Sequence, residues 1–529
     1  MSNDLQARWH RARQHLDAGN PSAAATELEA IVRIDPRQPM AWLLLARQAS
    51  SEQRCRAAIS HARNAAAAMN ESGDWSALAD VALLLQNLGE SLLAVKLIQK
   101  ADQNRPHVYA AADRIAQCLG MTDFHADALR ILDTALTRSA PTPMLSIMRA
   151  TTLRHLGHKA EATVEYQRCL QLAPDFAGAM LMLAQHDPSA DSHAQVARIR
   201  QAMQRTQDAP NLAMLHYALF IHLHAAGDHA DAWQALMQGA TIKRRSLAWQ
   251  SERDEARLAA IHAVCQGSFL DPVATVKDEQ VPIFIVGQPR TGTTVLERML
   301  SNHSQVRSAG ELNDFHLQLC WQADMLVEHV DPVLLRASAD LDFAAIGRGY
   351  RQRTGWRTRG KRFLIDKLPV NIWYAGLIHK AMPDARIVCL VRNPLDTCFS
   401  NLKELFAGEA YPYSYDPMEA AEHHLRFRQL LQHWNEVLPG FVLTVRYEDM
   451  VRDTQSVMRR VMEHCGMPFE PECADIVRNR APSATASSSQ VRESLHARSI
   501  GAWRRYAEPL EESRAWLAAR LPADTFVTD

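Results

Sequence analysis

The 529-residue chain has no excess charge of either sign, no long apolar run and no cysteine pattern. A formal net charge of −1 with 22% charged residues gives no reason to expect polynucleotide binding, although a local basic pocket is compatible with it. No apolar run approaches the roughly 20 residues needed to cross a bilayer, so no membrane span is expected. The opening stretch, MSNDLQARWHRARQHLDAG, is polar and periodic and lacks an apolar secretory core. The nine cysteines are odd in number, scattered and nowhere spaced C-x-x-C. They read as reduced thiols of a cytoplasmic protein, not as a disulfide framework or zinc site, and no metal is expected. What remains is a soluble globular composition, 47% hydrophobic, in a chain too long for one typical domain.

The first half, to about residue 265, is rich in Ala and Leu and helical in period. Gly19, Gly89, Gly157 and Gly227 are separated by 70, 68 and 70 residues, twice a unit of about 34 or 35. Five residues after each glycine stand Ala24, Ala94, Ala162 and Ala232, and four further on Leu28, Ile98, Tyr166 and Leu236. Pro36, Pro106 and Pro174 follow the first three glycines by 17 residues. Glycine breaks the first helix of a unit, a small alanine lets two helices approach closely, and proline ends the second. An intervening unit shows in HADALRILDTAL, with Ala128, Leu132 and Ala135. This half resembles tetratricopeptide-repeat proteins. The resemblance implies an all-α solenoid over residues 1–265, of six or seven units, whose concave face takes a protein or peptide. It carries no catalytic constellation.

Residues 266–280 break the helical pattern with Gly, Pro and charge and read as a linker. Beyond them, over residues 281–529, the apolar β-rich runs VPIFIVG, RFLID, ARIVCLV and GFVLTVRY alternate with helical stretches. That alternation predicts an α/β domain with a parallel sheet covered on both faces. In the first unit, IVGQPRTGTTVLERML places a G-x-x-x-x-G turn between a strand and the helix TTVLERMLSNH. Backbone N–H groups and the positive helix end then face the sheet edge, which is an anion site. A nucleoside-triphosphate loop would continue with Lys and Ser or Thr; here Thr293 and Thr294 follow, and no carboxylate is clearly placed for Mg²⁺. In a second strand–helix unit, ARIVCLVRNPLDTCFSNL, Arg392 at the strand end and Ser400 two turns into the helix suit one phosphate gripped from two sides.

The two motifs together resemble the sulfotransferase family over about residues 281–506. The first is similar to its 5′-phosphosulfate loop and the second to its 3′-phosphate motif. SAGEL, LIDKLP, VRYEDM and the segment from Gln490 through Arg498 and Trp503 to Tyr506 point to the tyrosylprotein-sulfotransferase-like branch. They point in particular to bacterial proteins that join tetratricopeptide repeats to such a domain. The resemblance implies a P-loop-like fold and the donor 3′-phosphoadenosine 5′-phosphosulfate (PAPS), with adenosine 3′,5′-bisphosphate as product and no metal. It implies Glu311 as general base, Lys367 as the group that stabilises the leaving phosphate, and Ser487, one of three consecutive serines, as an aid to the transferring group. Arg290, Thr291, Gly292, Thr293 and Thr294 would hold the phosphosulfate, and Arg392 and Ser400 the 3′-phosphate. Tyr447 would lie near the adenine or simply in the core, and Arg498 would join the phosphate pocket or the C-terminal fold.

The match departs on the acceptor side. One extra residue precedes Glu311, Ala502 stands where the animal enzymes place a lysine before Trp503, and LNDFHLQLC lacks their peptide-binding arginines. Protein tyrosine, sugar, lipid and small-molecule hydroxyls all stay open as acceptors, as does the oligomeric state, a homodimer included. An adaptor with an inactive, nucleotide-binding sulfotransferase fold is the alternative. Retention of both Glu311 and Lys367 argues against it.

Overall fold

The computed structural model describes residues 3–102, 104–188, 192–248, 250–273, 280–479, 481–482 and 495–527. The four spaced glycines each follow a helix with φ of 68°, 77°, 92° and 86°, the left-handed conformation that stops a helix without steric cost. Ala24, Ala94, Ala162 and Ala232 are fully buried where paired helices touch. Leu28, Ile98, Tyr166 and Leu236 are buried one turn further on. Pro36 and Pro174 stand just beyond the helices Pro21–Ile34 and Lys159–Leu172, but Pro106 opens the short helix Pro106–Tyr109. There proline sits at a first helical position, where its missing N–H costs nothing.

The chain forms two compact units, each drawn from two stretches. One comprises Met1–Pro141 with Asn313–Trp356. Its helix pairs include Asn3–Asp17 with Pro21–Ile34 and Pro39–Ser51 with Cys55–Ser72. The helices Asp314–Ala323, Pro332–Ala337 and Phe343–Thr354 join them. Arg353 Nη2 meets Glu90 Oε1 at 2.7 Å, and the Arg56 N–H donates to Asp324 Oδ1 at 2.8 Å.

The other unit, Thr142–Leu312 with Arg357–Asp529, holds further helix pairs and the sheet. Strands β1 (Val281–Gly287), β2 (Val306–Ser308), β3 (Phe363–Asp366), β4 (Arg386–Val391) and β5 (Val442–Arg446) are all parallel, in the order β2-β3-β1-β4-β5. Four of these match runs seen in the sequence; the three-residue β2 is too short for its pattern to show. Central β1 is buried along its whole length, as a strand covered on both faces must be. Ile283 and Ile285 share one core with Leu296, Met299 and Val388, whereas Phe284 and Val286 alternate to the other face. All nine cysteines are free and buried. Among the described residues no helix is long and apolar enough to cross a membrane.

Candidate active site

A parallel sheet with crossover helices gathers its strand ends on one edge, and ligands of such folds bind beyond the carboxyl ends. Here every strand delivers a residue of interest to that edge. β1 ends at Gly287 and runs into the glycine loop; β2 ends at Ser308, three residues before Glu311; β3 is followed by Lys367, β4 by Arg392 and β5 by Tyr447.

The loop is shaped by two close approaches. A Cβ on Gly287 would lie 2.5 Å from the Leu390 carbonyl oxygen of β4, so the backbone turns against its neighbour strand. A Cβ on Gly292, where φ is 100°, would lie 2.5 Å from Cδ2 of Tyr447. Between them Arg290 adopts a φ of 67°, and Thr291 Oγ1 donates to the Gln288 carbonyl at 2.7 Å. The helix Thr293–Leu300 follows directly, with Thr293 and Thr294 buried and no side chain capping its first turn. Its leading N–H groups therefore have no intrahelical acceptor.

Opposite the loop stands a buried charge cluster. Lys367, 1% exposed, donates from Nζ to Glu311 Oε1, and Glu311 is half exposed. The approach is built from the backbone: the Ala309 N–H donates to Ile365 O at 2.9 Å, the Lys367 N–H to Gly310 O at 2.8 Å, and the Leu312 N–H to Asp366 Oδ1 at 3.3 Å. Burial alone would push the Lys367 ammonium down, but Glu311, Glu297 and Asp366 together hold it above the ordinary lysine value. Burial pushes the Glu297 carboxyl up, while Lys367 and a hydrogen bond from Ser308 Oγ pull it part-way back.

Cations gather on the β4 side. Arg392 Nη1 donates to the Arg290 carbonyl at 3.2 Å, Nη2 donates to the Ser499 carbonyl, and the guanidinium lies 4.8 Å from the Tyr447 ring centre. Its buried Nε has no hydrogen-bond partner among the described residues. Ser400 is buried on the helix Pro394–Leu402, and the next residue, Asn401, ties that helix to the loop through the Pro289 carbonyl at 3.1 Å. Lys403 is pushed down to about 8, first by burial and then by the nearby charges of Arg290 and Arg392, which Glu404 and Asp396 partly offset. Glu404 lies 3.9 Å from Arg290.

Residues 282–471 match the sulfotransferase family model and residues 5–47 the tetratricopeptide-repeat model. The chain joins tetratricopeptide repeats to a sulfotransferase domain. An uncharacterized protein of Aquifex aeolicus (strain VF5) is 31% identical over 239 residues, 43% of this chain and 31% of that protein. The chain thus spans about a third of the length of that relative. A Caenorhabditis briggsae protein bearing the name "Putative protein-tyrosine sulfotransferase" is 21% identical over 42% of this chain and 80% of its own length. The solved sulfotransferase domain from the curacin biosynthetic pathway is 20% identical, with a TM-score of 0.33, over 47% of this chain and all of that one.

Of the residues singled out from sequence, Arg290 to Thr294, Glu311, Lys367, Arg392 and Tyr447 follow strand ends at the carboxyl edge of the sheet, whereas Ser400 lies two turns into the helix Pro394–Leu402. Ser487 lies outside the described residues. Arg498 is exposed on the short turn Ala497–Ser499, whose Ser499 meets both Arg392 and the Tyr447 hydroxyl. The Tyr447 ring packs against Gly292 and Arg392 and shares the sheet's apolar core. Sequence reasoning missed Glu297, Asn401 and Lys403. Glu297 left no signal, because beside Arg298 in TTVLERML it reads as an ordinary helix charge. Lys403 left none, because a lysine after a helix is ordinary until the fold sets two arginines beside it.

Proposed function

We propose that the chain is a PAPS-dependent sulfotransferase acting on an acceptor hydroxyl. The observation that carries this reading is Arg392: a buried guanidinium whose Nε has no partner among the described residues, donating to the Arg290 carbonyl, with the ammonium of Lys403 lowered in part by both arginines. Buried donors and like charges are costly unless an anion completes them. A ligand with phosphates on both the 3′ and the 5′ oxygens of one adenosine's ribose would suit that arrangement. The loop residues Arg290 to Thr294 would take the phosphosulfate through backbone N–H groups and hydroxyls. Arg392, Ser400 and Lys403 would take the 3′-phosphate. Tyr447 backs the loop and lies toward the base, and Arg498 approaches through its turn. PAPS supplies the sulfuryl group to be transferred.

Glu311, half exposed and paired with Lys367, would receive the acceptor hydroxyl's proton on its carboxylate. Lys367, just beyond the end of β3, would offer its ammonium to the negative charge that develops on the departing oxygen. No metal enters this scheme; one cation from the chain does that work, which is why the loop lacks the lysine of a triphosphate site. Ser487, outside the described residues, would aid the transferring group as the resemblance implies. The repeat segment 1–265, which the expected linker 266–280 divides from the sulfotransferase segment 281–529, would recruit the acceptor or a partner protein. The acceptor to test first is protein tyrosine, on the strength of the Caenorhabditis briggsae relative's name.

The test is calorimetric titration of the full chain with adenosine 3′,5′-bisphosphate and with ATP, both without metal. Much tighter binding of the bisphosphate is expected; equal affinity sinks the reading.

A further inference from the structure

The helices Ala209–Ala226 and His229–Arg245 form a hairpin that ends in the repeat pattern yet lies in the same compact unit as the sheet. Its polar contacts are unusual in their targets. Tyr217, 1% exposed, donates its hydroxyl proton to the Leu402 carbonyl at 2.9 Å. Leu402 closes the helix that bears Ser400 and immediately precedes Lys403. Carbonyls of a last helical turn have no intrahelical donor, so the phenol completes this one and fixes where the helix stops. Lys243 Nζ donates to the Gly408 carbonyl at 2.7 Å. The stretch between, which contains Lys403, is therefore held at both ends by one hairpin.

The same hairpin reaches the pocket by a second route. His224 Nδ1 pairs with the Tyr506 hydroxyl at 2.7 Å, and the Trp233 and Tyr506 rings lie 5.4 Å apart. Tyr506 packs on Phe399 at 4.9 Å, and Lys403 Nζ lies 5.5 Å from the centre of that Phe399 ring. Arg244 anchors the base of the hairpin by a bidentate pair with Glu419, at 2.7 and 2.9 Å. A hairpin that merely covered apolar surface would have no need to bond two main-chain carbonyls flanking the same cation.

We infer that the hairpin Ala209–Arg245 is a working part of the donor pocket, with Tyr217 and Lys243 as positioning residues that set the Leu402–Gly408 backbone and so Lys403. The inference rests on the donor-site reading above. The consequence is that the repeats are not a detachable recruiting arm: their last hairpin belongs to the catalytic unit.

The test uses the full chain, with Tyr217→Phe and Lys243→Met and with Leu28→Ala, a buried repeat residue of the other unit, as a control for destabilisation. Adenosine 3′,5′-bisphosphate binding is measured by calorimetry and melting temperature alongside it. Tyr217→Phe is expected to bind roughly threefold to tenfold more weakly, the scale of one lost hydrogen bond, with Lys243→Met in the same direction. KM for PAPS should rise while kcat stays near that of the unaltered chain. Leu28→Ala should lower the melting temperature and leave affinity alone. Unchanged affinity in both hairpin variants overturns the inference, and so does an equal loss in Leu28→Ala. Failure of the unaltered chain to bind the bisphosphate sinks the donor reading itself, and this inference with it.

Discussion

Replacing Lys367 by Met removes the one ammonium at the end of β3 while keeping the length and most of the volume of the side chain. Three carboxylates surround it: Glu311, Glu297 and Asp366. If Lys367 meets the charge that develops during transfer, its loss resembles deletion of an oxyanion-stabilising donor, a fall of about 10²–10³ in turnover, or ~3–4 kcal/mol. Bisphosphate binding should be largely spared, because the loop and Arg392 are untouched. The fold should register the change through Glu297. Burial already raises this carboxyl, and Lys367 is the strongest influence pulling it back. With Met there, Glu297 in the folded chain keeps its proton to higher pH than in the unfolded chain. A raised folded-state pKa gives stability that is full below the ordinary carboxylate range and is lost as pH rises through the raised value. Each unit of added shift is worth ~1.4 kcal/mol. Melting temperature measured from pH 5 to pH 8 should therefore decline more steeply in the variant than in the unaltered chain. Turnover is followed as labelled sulfate passing from PAPS to whichever acceptor the unaltered chain uses. Full turnover in Lys367→Met would refute the catalytic assignment; a parallel pH–stability curve would refute the Glu297 coupling.

Glu311→Gln should lower turnover by about 10²–10⁴, the range of a lost general base, while bisphosphate affinity and melting temperature hold. Full activity would move the base elsewhere. Asp254, fully buried on the helix Ser251–Val264, would be pushed up by burial, but His423 Nδ1 at 2.6 Å and Arg257 at 2.7 Å hold its carboxyl down at about 2. A depressed carboxylate stabilises the fold above its unfolded pKa and stops doing so as pH falls toward 2. Asp254→Asn is expected to cost about 2 kcal/mol at neutral pH and to flatten the acid limb of the stability curve, read by chemical denaturation at each pH. An unaltered acid limb would contradict that linkage.

Much of the fold could be read from the residues, and for a local reason. A glycine that must take a positive φ, an alanine at a helix crossing and an apolar run that must be buried each follow from a residue's own stereochemistry and solubility. Gly157 and Gly227 cap helices, Ala162 and Ala232 lie at closed crossings, and β1 is buried from Val281 to Gly287. The order of Gly287, Lys367 and Arg392 along the chain likewise presented a strand end for each, because a parallel sheet forces successive strands to finish on the same edge. The three-residue β2 escaped notice because a period cannot be seen in three residues.

What depended on tertiary structure was proximity between segments far apart in sequence. That Lys367 meets Glu311, that Glu297 shares their charge, and that Lys403 stands beside two arginines are facts of which strand lies next to which. The order β2-β3-β1-β4-β5 sets β2 beside β3 and so brings Glu311 to Lys367. The same holds for Tyr217 and Leu402, 185 residues apart yet hydrogen-bonded, and for the helices Asp314–Ala323 to Phe343–Thr354, which belong with the first repeats. Local preferences decide whether a stretch turns, coils or extends. Long-range burial and charge pairing decide which stretches meet, and they carry no signature at any single position.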